Sequence, residues 1–208
     1  MSFNPEKIYK MPFMYSGMEK TLVLIKPDAV KRHIVGKIIS RFEDTGLKIS
    51  GLKMVHASEE LARSHYALDE EWAKNVFAKT KDSYEKEGKE FRYKTPMEFA
   101  GNIQKWNMKF LSEGPVVAIV IEGPHAIELV RKMIGSTEPR SSPPGTIRGD
   151  FASVESYTVA DKSSRVVRNL IHASDSEKSA QREISLWFSP EEIHSHKTIY
   201  DMTLPEEN

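Results

Sequence analysis

Two uninterrupted apolar runs dominate the chain and predict central β-strands over residues 21–25 and 115–121. Apolar runs of this length without polar alternation are typical of strands buried on both faces of a sheet. A third segment, residues 47–54, alternates apolar and polar positions but changes phase at Gly51. A β-bulge at that glycine is the simplest cause of the shift.

Amphipathic helices separate these strands. Apolar residues recur at helical spacing over 35–42, 126–134 and 180–188, and a glycine follows each of the first two segments. Ser58 is a favourable N-cap residue and predicts another helix that ends near Tyr66. The order of elements predicts an α/β sandwich with the ferredoxin-like βαββαβ arrangement, in which helices cover an antiparallel sheet.

The same pattern predicts how the chain is divided. Residues 1–18 show no clear period and are expected to form an N-terminal extension, followed by a single domain over 19–190. Within that domain the charged segment 69–112 predicts two or three extra helices, and the polar segment 152–167 predicts an inserted loop. The polar residues 191–208 are expected to form a peripheral C-terminal tail.

A histidine stands at the end of the last predicted strand. Leu170 and Ile171 form a short apolar run that leads into His172, and Ser174 with Glu177 fits a capping box for the following helix. Free N–H groups at a helix N-terminus favour anions, so the position suits an imidazole that meets phosphate. A structural histidine beside a capped helix is the alternative, and it is the more frequent case.

Composition narrows the chemistry. Lys and Arg together number 30, as do Asp and Glu, so the formal net charge is zero and indicates neither nucleic acid nor an anionic membrane as partner. Cysteine is absent, which removes disulfides and thiolate chemistry and is compatible with the reducing cytoplasm. We see no signal peptide and no apolar run long enough to span a bilayer, so we expect a cytoplasmic protein.

Phosphate-binding loops are also absent from the sequence. There is neither a Gly-x-x-x-x-Gly-Lys-Ser/Thr loop nor a Gly-x-Gly-x-x-Gly after a strand. If the protein handles phosphates, isolated side chains must bind them. Lys26, Arg131 and Arg148 lie at or near the ends of predicted elements and are candidates, although each alone is more often a solvated surface charge.

Several long blocks together resemble the signature of the nucleoside diphosphate kinase family. They are Thr-Leu-Val-Leu-Ile-Lys-Pro-Asp-Ala-Val at 21–30, Gly-Thr-Ile-Arg-Gly-Asp-Phe at 145–151 and Asn-Leu-Ile-His-Ala-Ser-Asp-Ser at 169–176. The helix at 178–188 resembles the family segment that follows the active histidine. The likeness extends over residues 19–66 and 114–190, and the blocks stand in the family's order.

The resemblance implies a ping-pong phosphotransferase. His172 would attack the γ-phosphate of a nucleoside triphosphate, become a phosphohistidine and pass the phosphoryl group to a nucleoside diphosphate. Glu183 matches the glutamate that orients this histidine, and Ser174 matches a serine that hydrogen-bonds within the group. The capping role of Ser174 competes with that bond, and the two can coexist in different states. Tyr66 would support the catalytic group by hydrogen bonding.

The resemblance also implies a set of nucleotide-binding residues. Lys26, Arg131 and Arg148 would neutralise the phosphate chain, Thr137 would donate its hydroxyl to phosphate, and Asn169 would hold the sugar hydroxyls. Positioning and electrostatic stabilisation supply most of the catalysis of phosphoryl transfer, so such a ring of donors is sufficient.

Magnesium is expected to arrive with the nucleotide, because Mg²⁺ keeps water and substrate phosphates as ligands. Asp175 is the candidate to contact it through water.

Donor and acceptor nucleotides would occupy one pocket in turn, so the base should be held by stacking, which tolerates any base. The family's Pro-Phe-Phe stacking block is missing from this sequence. Phe99 or Trp106 could replace it, although a core aromatic is the more frequent role for either.

Resemblance to the family further implies a homo-oligomer, either a tetramer or a hexamer. The residues themselves leave two other classes of function open. One is a nucleotide-binding regulatory module of ferredoxin-like fold that has lost turnover through its insertions. The other is a structural subunit of an assembly, which would neither bind nucleotide nor transfer phosphate.

Overall fold

A four-stranded antiparallel sheet forms the centre of the protein. The computed structural model describes residues 18–86, 88, 90–194 and 196–199. The strands are β1 (Met18–Ile25), β2 (Lys48–Val55), β3 (Val116–Pro124) and β4 (Ile171–Ala173), and they lie in the order β2-β3-β1-β4. Every neighbouring pair is antiparallel, which confirms the ferredoxin-like prediction.

Nine α-helices surround the sheet in the described part of the chain. They are α1 (Pro27–Lys31), α2 (Val35–Glu43), α3 (Glu59–His65), α4 (Glu70–Lys86), α5 (Pro96–Leu111), α6 (Ala126–Ile134), α7 (Ile147–Ala152), α8 (Tyr157–Lys162) and α9 (Glu177–Trp187). None of them combines the length and apolar character needed to span a bilayer.

The sheet has a buried core on each face, as the continuous apolar runs predict. Alternate residues of β1 point to opposite faces, so Val23 packs with α2 and α6 on one side. Leu24 packs on the other side, where α3, α5 and α9 lie. His172 is paired in register with Leu24 and lies between buried neighbours on β4.

The phase change at Gly51 is a β-bulge, as predicted. The register of β2 against β3 shifts between Ile49 and Gly51. A Cβ at Gly51 would lie 3.1 Å from a ring carbon of Phe188 and 3.2 Å from the Glu192 carbonyl oxygen. Glycine suits this position because it lets the segment after α9 approach the strand closely.

Two local predictions need correction. The N-cap of α9 is Ser176, whose side chain accepts from the Ser179 amide, so the predicted capping box at Ser174 does not form. Segment 152–167 is not only a loop, because α8 lies within it and is capped by Ser156. Helices α1, α7 and α8 have only five or six residues, too few for a 3.6-residue period to emerge from the sequence.

Segment 69–112 contains two helices, α4 and α5, in agreement with the predicted two or three. Aromatic rings fill the space between them, and Phe99 is buried there against Phe77, Phe91 and Tyr93. Phe99 is thus a core residue, which leaves Trp106 as the candidate for base stacking.

The predicted division of the chain stays a prediction. Its N-terminal extension lies outside the described residues except for Met18, which begins β1. The described part of the tail lies alongside β2. Lys53 of that strand pairs with Glu192, and the His194 amide donates to the Ser50 carbonyl. Residues 201–208 lie outside the described part.

Candidate active site

His172, Glu183 and Ser174 form a hydrogen-bonded group of three side chains. The Nε2 atom of His172 lies 2.8 Å from Oε2 of Glu183, which projects from α9 and is buried. The Ser174 hydroxyl donates to the same oxygen at 2.8 Å, and the Leu22 amide donates to that hydroxyl. These bonds give Ser174 the catalytic-group contact implied by the resemblance in place of the capping role.

The pairing with Glu183 determines the tautomer of His172. A carboxylate only accepts hydrogen bonds, so Nε2 carries the ring proton of the neutral imidazole and Nδ1 keeps its lone pair. His172 has 23% of its side chain exposed, whereas Glu183 has 6%. A buried, oriented carboxylate behind a partly open imidazole is the arrangement of an activated nitrogen nucleophile.

A second group of polar side chains converges on Asn169. The Lys26 ammonium donates to Asn169 Oδ1 at 2.8 Å, and Asn169 Nδ2 donates to the Thr137 carbonyl at 2.9 Å. Both Lys26 and Asn169 are buried, although they lie far apart in the sequence. Thr137 itself is exposed, so its hydroxyl lies at the surface next to this group.

Arg148 ties the same segment to the loop that follows α6. It donates to the carbonyls of Asn169 and Ile171 on one side and of Gly135 and Ser136 on the other. Four of the five N–H donors of a guanidinium are thereby occupied. The side chain is buried, so Arg148 both shapes the site and adds positive charge to it.

Burial perturbs the cations of this group. It lowers the pKa of Lys26 to about 8, and the nearby Arg148 lowers it further whereas Asp28 opposes the shift. Burial also lowers the pKa of Arg148 to about 10, with Arg131 as the next cause. Concentrated positive charge in a low-dielectric setting favours binding of a polyanion.

Two of the expected residues lie at the exposed rim. Arg131 on α6 is exposed and acts electrostatically on both Arg148 and Asp175. Asp175 is exposed in the turn before α9, and a hydrogen bond with Ser179 is the main cause that lowers its pKa. Positioned this way, Asp175 presents an ionised carboxylate beside the nucleophile strand.

Tyr66 is half-buried, and its hydroxyl lies in the interior close to the catalytic group. Its hydroxyl has no hydrogen-bond partner among the described residues, and burial raises its pKa, with Glu183 and Asp28 as further causes. The tyrosine therefore keeps its proton and can donate it to an acceptor that enters the site.

Three further residues complete the site, and sequence reasoning did not identify them as functional. Asp28 accepts from the Leu170 amide at 3.0 Å, and its other oxygen has no partner among the described residues. Arg182 donates to the Ser64 carbonyl and to Glu183 Oε1. The ring of His65 lies edge-on to His172 with centroids 4.6 Å apart.

The sequence signal for Asp28 is its place in the block at 21–30, two residues after Lys26. Arg182 and His65 gave no comparable signal. Arg182 reaches α3 from α9, and His65 meets β4 and α9 from α3. An exposed arginine or an isolated histidine in a helical segment resembles many ordinary residues.

One cluster in the described part of the chain has the composition of a metal site. Ligand atoms of His65, His172 and Glu183 lie within 4.8 Å of one another. However, Trp187 Nε1 donates to His65 Nδ1 at 3.3 Å, and indole can only donate. The proton of neutral His65 therefore sits on Nε2, where a metal would need the lone pair, and imidazoles also suit magnesium poorly.

The sequence matches a known family over most of its length. The family described as nucleoside diphosphate kinase matches residues 19–88 and 101–193. A nucleoside diphosphate kinase from Pyrobaculum aerophilum is 47% identical over 180 residues, covering 85% of this chain and 98% of that protein. One from Pyrococcus furiosus is 44% identical over 179 residues, covering 86% and 88% respectively.

Solved structures agree with the sequence comparison. The crystal structure of an NDP kinase from Pyrobaculum aerophilum has a TM-score of 0.81 at 44% identity, covering 86% of this chain and 100% of that one. A transition state mimic of the nucleoside diphosphate kinase from Borrelia burgdorferi, with bound vanadate and ADP, has a TM-score of 0.71 at 37% identity. That comparison covers 88% of this chain and 94% of the other.

Proposed function

The chain belongs to the nucleoside diphosphate kinase family, and we propose that His172 carries the phosphoryl group in its reaction. The activity is transfer of the γ-phosphoryl group from a nucleoside triphosphate to a nucleoside diphosphate. The contact of 2.8 Å between His172 Nε2 and Glu183 supports the assignment most strongly, because in the neutral ring it places the proton on Nε2 and leaves the lone pair on Nδ1 for attack.

The reaction proceeds in two matched steps. Nδ1 of His172 attacks the γ-phosphorus, a nitrogen–phosphorus bond forms, and the bond to the bridging oxygen breaks as the diphosphate leaves. In the second step a terminal oxygen of another diphosphate attacks the same phosphorus and the histidine is regenerated. The Glu183 carboxylate accepts a hydrogen bond from the Nε2–H group in both steps, so no proton has to leave the ring.

Buried cations supply the electrostatic part of the reaction. We propose that Lys26 and Arg148, with Arg131 at the rim, bind the phosphate chain, that Thr137 donates its hydroxyl to it, and that Asn169 binds the sugar. The Tyr66 hydroxyl assists at the catalytic group. Such donors are fixed before substrate binds, so they need no reorganisation when charge shifts in the transition state.

Magnesium would bind chiefly to the phosphates of the nucleotide. We propose Mg²⁺ as the cofactor, with Asp175 as the residue that contacts it through water. One exposed carboxylate fits an ion that keeps most of its water and phosphate ligands, and Mg²⁺ would neutralise phosphate charge there.

A cleft beside the catalytic lysine is our proposed position for the base. It measures about 380 Å³ and is lined by Trp106 and Phe110 of α5 and by the segment that ends at Arg168. Lys26 Nζ lies 5.5 Å from the centroid of the Phe110 ring, so the cleft adjoins the phosphate-binding group. Stacking on Trp106 would accept any base, as a pocket shared by donor and acceptor requires.

Phosphorylation of His172 gives the first test. Incubation with ATP labelled in the γ-phosphate should leave acid-labile label on the protein, and His172→Ala should abolish it. His56→Ala, which changes an exposed histidine on another segment, should label normally. Label that persists in His172→Ala would contradict the assignment, and nucleotide binding without any label would favour the regulatory module.

The pH dependence of kcat/KM gives a second test. Because the pKa of Lys26 is lowered to about 8, its positive charge is present below that pH and is lost as the pH rises through it. We expect kcat/KM to fall above about pH 8. Lys26→Arg should move this decline to higher pH, because a guanidinium stays charged. A profile that stays flat to pH 10 in the unsubstituted enzyme would exclude this role for Lys26.

Substitution of Trp106 tests the base position. Trp106→Leu should raise the KM for every nucleotide by about tenfold, since stacking of one base contributes roughly 1–3 kcal/mol, and it should change kcat little. Trp72→Leu, in the exposed part of α4, serves as the matched control. An unchanged KM in Trp106→Leu, or an effect confined to one base, would contradict base-tolerant stacking in this cleft.

We also propose a homo-oligomer, a tetramer or a hexamer. Strand β2 lies at one edge of the sheet and exposes Leu52 and Met54, at 52% and 58% of their surface. Exposed apolar side chains on an edge strand suit association between subunits. Light scattering should give a tetramer or hexamer mass, and a monomer mass would refute the proposal.

Location of the protein in the cytoplasm stays a prediction.

A further inference from the structure

A second histidine, His65, lies against the nucleophile and has no part in the mechanism given above. It ends α3, is 3% exposed, and meets the His172 ring edge-on at an interplanar angle of 84°. A nitrogen of each ring lies within 4.8 Å of the other and of a Glu183 oxygen. The two imidazole rings are therefore in contact, and His65 borders the nucleophile.

The protonation state of His65 is fixed by its surroundings. Burial lowers its pKa well below the usual value, with the nearby His172 as the next cause, so the ring is neutral. Trp187 donates to Nδ1, which places the single ring proton on Nε2. Arg182 donates to the carbonyls of Ser64 and His65 and holds the end of α3 against α9.

That Nε2–H group has no hydrogen-bond partner among the described residues. A buried donor without an acceptor is costly and is rare in folded proteins. The cost of this unpaired donor is removed when the neighbouring nucleophile carries a hydrogen-bond acceptor. A phosphoryl group on His172 brings three anionic acceptor oxygens into the same cluster, and a neutral donor can bind one of them without exchanging a proton.

We propose that the Nε2–H of His65 donates a hydrogen bond to the phosphoryl group on His172 and thereby stabilises the phosphorylated enzyme. The inference rests on the proposed phosphohistidine. It assigns to Trp187 the further role of holding His65 in the tautomer that donates. His65 gains and loses no proton in either step of the reaction.

The test measures the equilibrium between free and phosphorylated enzyme at fixed ATP and ADP concentrations. His65→Phe keeps an aromatic ring but removes the N–H, and should shift the equilibrium toward the free enzyme by about tenfold, as expected for one hydrogen bond to a charged group. His65→Gln restores an N–H near the Nε2 position and should recover most of the phosphorylated fraction. If His65 acted only through packing, His65→Gln would not give a higher phosphorylated fraction than His65→Phe.

Trp187→Phe is the second arm. It leaves His65 in place but removes the donor to Nδ1, so both tautomers become populated, and the phosphorylated fraction should fall by less than in His65→Phe. If His65→Phe does not fold, as judged by thermal unfolding, the comparison of His65→Gln with Trp187→Phe carries the test.

Equal phosphorylated fractions in His65→Phe and the unsubstituted enzyme would overturn the inference while leaving the proposed function intact. Equal losses in His65→Phe and His65→Gln would also overturn it. Absence of label from His172 in the unsubstituted enzyme would instead refute the proposed function itself.

Discussion

Leu170 has a positive φ of 68°, a backbone conformation that is rare for a residue with a branched side chain. The Ile171 amide donates to the Asn169 carbonyl at 2.7 Å across it, which makes a γ-turn. Asp28 accepts from the Leu170 amide, and the Lys26 amide donates to the Leu170 carbonyl. This turn places Asn169 on one side and the strand of His172 on the other, so both groups of the site depend on it.

The same turn also determines where the positive charge of the site lies. Lys26 and Arg148 are buried around it, and in the described part of the chain their hydrogen bonds go to a neutral amide and to backbone carbonyls. Burying cations without a carboxylate partner is unfavourable for the free protein. The cost is offset when an anionic phosphate chain binds, which makes the site selective for polyanions before any base contact is formed.

Helix α9 organises the opposite side of the nucleophile. Glu183 receives the imidazole and the Ser174 hydroxyl, whereas Arg182 and Trp187 hold the end of α3. One rigid helix thus orients the nucleophile directly and the second histidine indirectly. Because His172 Nε2 is already paired with Glu183 before substrate arrives, the reacting nitrogen needs little rearrangement.

Local sequence was sufficient for the features that depend on near neighbours. Buried strands follow from continuous apolar runs, and the bulge at Gly51 follows from a change of phase, since both reflect which residues of one segment face the core. The resemblance supplied His172, Glu183, Lys26 and Arg148, because those residues stand in blocks that match the family in its order. Short helices such as α8 were missed because a few residues show no period.

Tertiary structure decided what depends on residues that are distant in the chain. Ser174 and Glu177 match a capping box, yet the Ser174 hydroxyl is already bound to Glu183 and the cap is Ser176. Lys26 meets Asn169 across 143 residues of sequence, and His65 meets His172 although five α-helices and β3 lie between them in the chain. Spacing along the chain fixes neither contact. The pairing of β1 with β4 brings Lys26 to Asn169, and the packing of α3 against α9 brings His65 to His172.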